Sequence, residues 1–125
     1  MQYLKLQYPK VVFKCDFLSG ARLSIGLAVK AKMLGNTRAF PDMFIAMPNK
    51  EYHGLFVELK KVGTRLKKKN GQYATKHIKE QAEMIEKLNT AGYYAAFAVG
   101  FDEAKKIIDN YLLSCNEDYA LSNLS

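Results

Sequence analysis

Asp42 follows Pro41 and opens an apolar run, and further on Glu58 and Lys60 stand two apart in a second run, Gly54-Leu55-Phe56-Val57-Glu58-Leu59-Lys60. A strand turns residues i and i+2 to one face, so Glu58 and Lys60 project together while Val57 and Leu59 face the other way. If the two runs pair as neighbouring strands across a turn at residues 48–53, Asp42 approaches the same point. Two carboxylates and an ammonium converging there suit a hard divalent cation with a positioned water. That is the chemistry of metal-dependent phosphodiester hydrolysis. In the plainer reading, Asp42 caps a turn and Glu58 and Lys60 form a surface ion pair. Charges set in Leu-Phe-Val-Glu-Leu, beside a second apolar strand, would however be partly desolvated, and a metal or partner must offset that cost.

The elements that must position these groups follow from periodicity. Residues 2–19 mix β-branched and aromatic side chains with Pro9 and show no helical period, which predicts an extended or irregular arm. Residues 22–34 place Leu23, Leu27, Met33 and Leu34 among lysines, the pattern of a short amphipathic helix with Gly35-Asn36 as its stop. Residues 42–47 and 54–60 read as strands. Residues 61–74 are polar and basic, and Asn70-Gly71 favours a tight turn. Thr75 can cap a helix running to about residue 91, with Ile78, Ala82, Ile85 and Leu88 on its buried face. Gly92 ends it, residues 93–99 read as a third, central strand, and Asp102 is expected to cap a last helix to about residue 113. Residues 114–125 form a polar tail. A helix between two strands implies a crossover and parallel pairing.

The chain has 125 residues, the size of one domain, and 49% hydrophobic residues can fill its core. No run reaches the roughly 20 apolar residues of a membrane span. The opening Met-Gln-Tyr-Leu-Lys-Leu-Gln lacks the zones of a signal peptide, so a cytoplasmic protein is expected. Cys15 and Cys115 stand far apart without ligand-like spacing and read as reduced, structural thiols. A net charge of +7 and a pI near 9.4 point to a polyanionic partner, nucleic acid first. Lys60, Lys61, Arg65, Lys67, Lys68, Lys69 and Lys76 cluster just downstream of the carboxylates. Arg22, Lys30 and Lys32 give the first predicted helix a basic side, and Arg38 follows it.

Taken together these residues resemble the VRR-NUC domain of the PD-(D/E)xK nuclease superfamily, in the short stand-alone form that bacteriophages encode. The resemblance runs from about residue 19 to 111. It rests on Phe40-Pro41-Asp42, on Tyr52-His53-Gly54-Leu55-Phe56-Val57-Glu58-Leu59-Lys60, on Gly63, Gln81, Leu88 and Gly92-Tyr93, and on Val99-Gly100-Phe101-Asp102-Glu103-Ala104 with Ile108 and Tyr111. The resemblance implies a restriction-endonuclease-like α/β fold, with a small mixed sheet flanked by helices, and a Mg²⁺- or Mn²⁺-dependent DNA endonuclease. Asp42 and Glu58 would be metal ligands, joined by the backbone carbonyl of Leu59. Lys60 would orient or help deprotonate the attacking water, and Gln81 would complete the shell. Stand-alone members resemble Holliday-junction resolvases and act as homodimers, so branched DNA is the implied substrate.

The chain departs from that pattern in three places. Many members carry a Glu on a long N-terminal helix, but here no acidic residue precedes Asp16. The Val-Arg-Arg triplet is absent, and Ile85 stands where related families have a Tyr four residues after the Gln. Other candidates have bland readings. His53 borders a turn and His77 opens a helix, so both read as surface or bridging residues. Tyr93, Tyr94 and Tyr111 read as core or interface. Ser19, Ser24 and Cys15 lack a histidine nearby in sequence, and no Gly-rich phosphate loop is present. Two rivals to a junction nuclease stay open: a non-catalytic DNA-binding module of the same fold, and a nuclease acting on linear duplex.

Overall fold

The two apolar runs pair as antiparallel neighbours: β2 (Met43–Ile45) lies against β3 (Leu55–Lys60), with Met43 opposite Val57 and Ile45 opposite Leu55. This computed structural model describes residues 2–15 and 39–115. The helix expected at 22–34, with Arg22, Lys30, Lys32 and Arg38, lies outside the described residues, as does the tail beyond residue 115. Outboard of β2 runs a short antiparallel strand, β1 (Phe13–Cys15). On the other side of β3 lies β4 (Tyr94–Val99), parallel to it, and the helix α2 (Lys76–Thr90) makes the crossover between them. The sheet order is β1-β2-β3-β4. The N-terminal helix α1 (Gln2–Gln7) and the last helix α3 (Phe101–Cys115) complete the described fold.

Alternation along β3 sorts the core into two layers. Leu55 and Val57, with Met43 and Ile45 of β2, pack against Leu4 of α1 and against Ala104, Ile108, Leu112 and Cys115 of α3. On the opposite face Phe56 packs with Leu88 and Ala95, and with the half-buried Phe44, Met84, Ile85 and Tyr93. Burial of a large apolar side chain stabilises by roughly 1.5–3 kcal/mol, so these two layers supply the driving force for the sheet. The thiols of Cys15 and Cys115 are both free, and burial raises their pKa, which suits structural rather than reactive roles.

Helix limits follow their caps. The Thr75 hydroxyl accepts the Ile78 N–H at 3.1 Å, and α2 starts there. After α2, Gly92 has φ +101°, and a Cβ there would fall 2.6 Å from the His53 ring. Only glycine meets both demands. The last helix begins at Phe101, one residue before the expected cap, so Asp102 and Glu103 lie inside its first turn and favour the helix dipole.

Two expectations are corrected. Residues 2–7 are helical rather than extended. A helix under two turns long cannot display a 3.6-residue period, and this one is held by tertiary contacts: Leu4 is fully buried, and the Tyr3 and Tyr8 hydroxyls both donate to Asp109 of α3. Among the described residues β4 is an end strand, not a central one. Its apolar run reflects helices packed on both faces, since α2 and α3 each contact it. Its outer edge is partly closed by a side chain. Asn89 Oδ1 accepts the Ala95 N–H at 2.8 Å and Nδ2 donates to the Ala95 carbonyl at 3.2 Å, as a neighbouring strand would. Replacing Asn89 by Ala leaves both backbone groups unpaired at a buried residue. A loss of about 1–3 kcal/mol is expected, read as a lower urea midpoint at unchanged slope.

Candidate active site

Continuing the β2–β3 register by one residue sets Asp42 opposite Glu58. Asp42 is held there by the backbone of its partner strand: the Leu59 N–H donates to Asp42 Oδ2 at 3.0 Å. Glu58 is 4% exposed although it is a carboxylate in the middle of an apolar strand. Gln81, on the stripe of α2 that Ile78 and Leu88 bury, donates from Nε2 to Glu58 Oε1 at 2.6 Å. Lys60 Nζ lies 3.8 Å from that same oxygen. The crossover thus lays α2 across the sheet so that its one buried polar residue meets the one buried carboxylate of β3. Asp42, Glu58 and Lys60 converge as the pairing of the two runs predicts, and Gln81 joins them from α2.

Glu58 Oε2 and Gln81 Oε1 are buried with no hydrogen-bond partner. Such groups are rare in a native fold, because each forgoes its hydration without compensation. Burial first, and then the charge of Asp42, pushes the Glu58 carboxyl up to about 8, while Lys60 works in the opposite direction. A further oxygen is available from the backbone. The Gly100 N–H donates to the Lys60 carbonyl, so by strand alternation the N–H and C=O of Leu59 turn to the other side, toward Asp42. The Asp42 carboxylate, the Leu59 carbonyl and the unpaired Glu58 oxygen form an all-oxygen donor set of the kind Mg²⁺ and Mn²⁺ take. Among the described residues no third His, Cys, Asp or Glu joins them. Helix α1 packs on the opposite face of the sheet through Leu4.

The loop from β3 to α2 carries the basic residues. Lys61, Arg65, Lys67, Lys68 and Lys69 are exposed along it, and Lys76 is exposed in the first turn of α2. Its tip makes the expected tight turn: Lys67 bridges to Tyr73, the Lys68 N–H donates to the Gln72 carbonyl at 2.7 Å, and Gly71 takes φ +87°. The loop leaves directly from Lys60 and enters the helix that carries Gln81. His53 lies before the start of β3, at the opposite end of that strand from Glu58 and Lys60, where its ring packs on Tyr93. His77 is exposed on α2. Lys14 and Phe44 line the same groove as Asp42. Lys14 does not stand out in the sequence, because β1 is three residues long and its pairing with β2 leaves no local signal.

No family model and no curated protein matches the chain. Among solved structures, one described as a VRR_NUC domain protein is similar to it, with a TM-score of 0.57 and 35% sequence identity. The match covers 70% of this chain and 64% of that one, so the chain spans less than two thirds of its neighbour's length. The shared architecture is the restriction-endonuclease-like α/β core, a small mixed sheet flanked by helices. Among the described residues no helix is long and apolar enough to cross a membrane.

Proposed function

We propose that the chain is a VRR-NUC nuclease domain that hydrolyses DNA phosphodiesters with Mg²⁺ or Mn²⁺, acting on branched DNA as a homodimer. The observation that carries the reading is the buried, unpaired Glu58 oxygen, placed beside Asp42, Lys60 and Gln81 on one sheet face. Asp42, Glu58 and the Leu59 carbonyl would hold the cation, which when bound acidifies water and offsets phosphate charge.

The chain's own groups divide the remaining work. The Leu59 N–H keeps Asp42 in place, and Gln81 occupies one Glu58 oxygen so that the other points free. The Lys60 ammonium orients the attacking water by donating to it, and then faces the negative charge that builds on the phosphorus oxygens. The exposed lysines of the 61–75 loop grip phosphates. Replacing Lys67, Lys68 and Lys69 by alanine should then weaken binding to all DNAs alike. It should flatten the slope of log K against log salt by up to about 2.7, at roughly 0.9 for each phosphate no longer neutralised.

Two copies would present two sites to two strands, as paired nicks at a junction require. A second reading, a binding module without activity, draws on the thin acidic set: two carboxylates and no third. Labelled four-way junction and linear duplex, incubated with Mg²⁺, Mn²⁺ or EDTA, separate these readings. Metal-dependent cutting favouring the junction supports the proposal. Equal cutting of both moves the substrate to duplex, and binding without cutting under either metal leaves the module. Sedimentation of the free chain tests the dimer.

A further inference from the structure

We infer that the groove beside Asp42 receives one unstacked nucleobase of the DNA, next to the phosphate under attack. This rests on the nuclease reading and adds to it a reason for preferring branched DNA. The groove holds about 430 Å³, within the roughly 300–1,000 Å³ span of small-ligand sites. Phe40, Phe44, Phe56 and Tyr93 form its apolar walls, and Lys14 and Asp42 are its charged members. Its floor is a row across three strands. Lys14 stands opposite Phe44, and Phe44 opposite Phe56, so all three share the sheet face that carries Glu58.

Three observations select a nucleobase as the occupant. The first is a fixed aromatic ring with a surface to spare. Phe40 is 43% exposed, yet its ring stands edge-on to Phe56 at 5.2 Å and 85°. Phe44 in turn lies stacked on Phe56 at 4.5 Å, so the cluster is braced and Phe40 can offer a face to a planar guest. The second is continuity with the catalytic group, since Asp42 lines both, and a base in the groove belongs to a nucleotide at the reacting phosphate. The third is charge. A cation set beside apolar walls matches a nucleotide, apolar on its base faces and anionic at its phosphate, in a chain of net charge +7. A continuous duplex must first unstack a base to fill the groove, whereas a branch point already exposes one.

The test uses the full chain in EDTA, so that it reads binding and not cleavage. The probes are a four-way junction carrying 2-aminopurine at the branch and a linear duplex of matched sequence. Phe40→Ala should weaken junction binding by about 5- to 150-fold, the span expected for losing one base–aromatic stack, with the duplex within about twofold. The 2-aminopurine, quenched on the wild type, should brighten on the variant, and Phe40→Tyr should restore both readouts. Lys14→Ala, at an exposed position, gives a second handle if Phe40→Ala misfolds: it should lower the salt slope for the junction by about one. Equal weakening of both DNAs, or no change in either, overturns the inference. So does a change in sedimentation without a change in quenching, which would make the groove a contact between copies. A chain that binds in this pattern but never cuts overturns the nuclease reading alone. A chain that cuts while Phe40→Ala keeps its junction preference overturns the inference alone.

Discussion

Lys60→Ala is expected to reduce the cleavage rate by roughly 10²- to 10⁴-fold while leaving junction affinity within a few-fold of wild type. The side chain is 16% exposed and its ammonium stands 3.8 Å from Glu58 Oε1, so it belongs to the buried cluster and not to the exposed basic loop. Its backbone is fixed independently by the Gly100 N–H, and truncating the side chain should leave the strand in place. Two roles are open to the ammonium, and pH separates them. If Lys60 only keeps Glu58 ionised, its loss raises the Glu58 pKa further, and activity should return at pH 9 or at high Mn²⁺. If it orients the water and meets the developing charge, the deficit persists at pH 9. The second outcome is expected, and Lys60→Arg should not rescue, because a planar fork cannot replace a compact point charge. Single-turnover cleavage at pH 7 and pH 9 checks this. A variant that cuts within tenfold of wild type at pH 7 would remove Lys60 from the mechanism.

The candidate cluster was legible in two ways: short-range periodicity governs Asp42, Glu58 and Lys60, and the family resemblance marks Gln81. The i,i+2 alternation places Glu58 with Lys60, a short turn folds Asp42 back onto β3, and the apolar stripe of α2 carries Gln81 inward with Ile78 and Leu88. What stayed hidden depends on pairing over long separations or on side chains standing in for backbone. Helix α1 has six residues and one buried side chain, and its hold on α3 runs through Tyr3, Tyr8 and Asp109, far apart in the chain. Strand β1 has three residues, so nothing local announces that Lys14 comes to lie across from Phe44. The run from Tyr94 to Val99 reports that both faces are covered, but says nothing of the edge, which Asn89 closes at Ala95. The groove inherits that opacity at Lys14 alone: Phe40, Phe56 and Tyr93 stand in the runs that carry the resemblance and Phe44 in the expected strand 42–47, but nothing local brings Lys14 to them.

Removing the charge of Glu58 should flatten the pH dependence of stability and abolish the response to metal. Burial and the neighbouring Asp42 lift this carboxyl from the usual 4.5 to about 8, so the metal-free folded chain keeps a proton that the unfolded chain loses. The contribution is therefore fully present below pH 4.5 and is lost as pH rises to about 8. Its slope approaches 1.4 kcal/mol per pH unit, for a total on the order of several kcal/mol. A divalent cation takes only the ionised carboxylate, so binding must expel the proton. Its apparent affinity should rise about tenfold per pH unit up to about 8 and then level off. The two effects combine: wild-type Tm in EDTA falls between pH 5 and 8, and the upshift given by Mn²⁺ grows over the same interval. Glu58→Gln keeps the shape and the Gln81 contact but has no proton to lose. In EDTA at pH 8 it should melt above wild type, its Tm should vary little from pH 5 to 8, and Mn²⁺ should leave it unmoved. Calorimetric titration of wild type with Mn²⁺ at pH 7, in two buffers of different ionisation enthalpy, should report close to one proton released per ion. A wild-type Tm that is flat with pH and indifferent to Mn²⁺ would show Glu58 to be an ordinary paired carboxylate, and with it the metal site would fall.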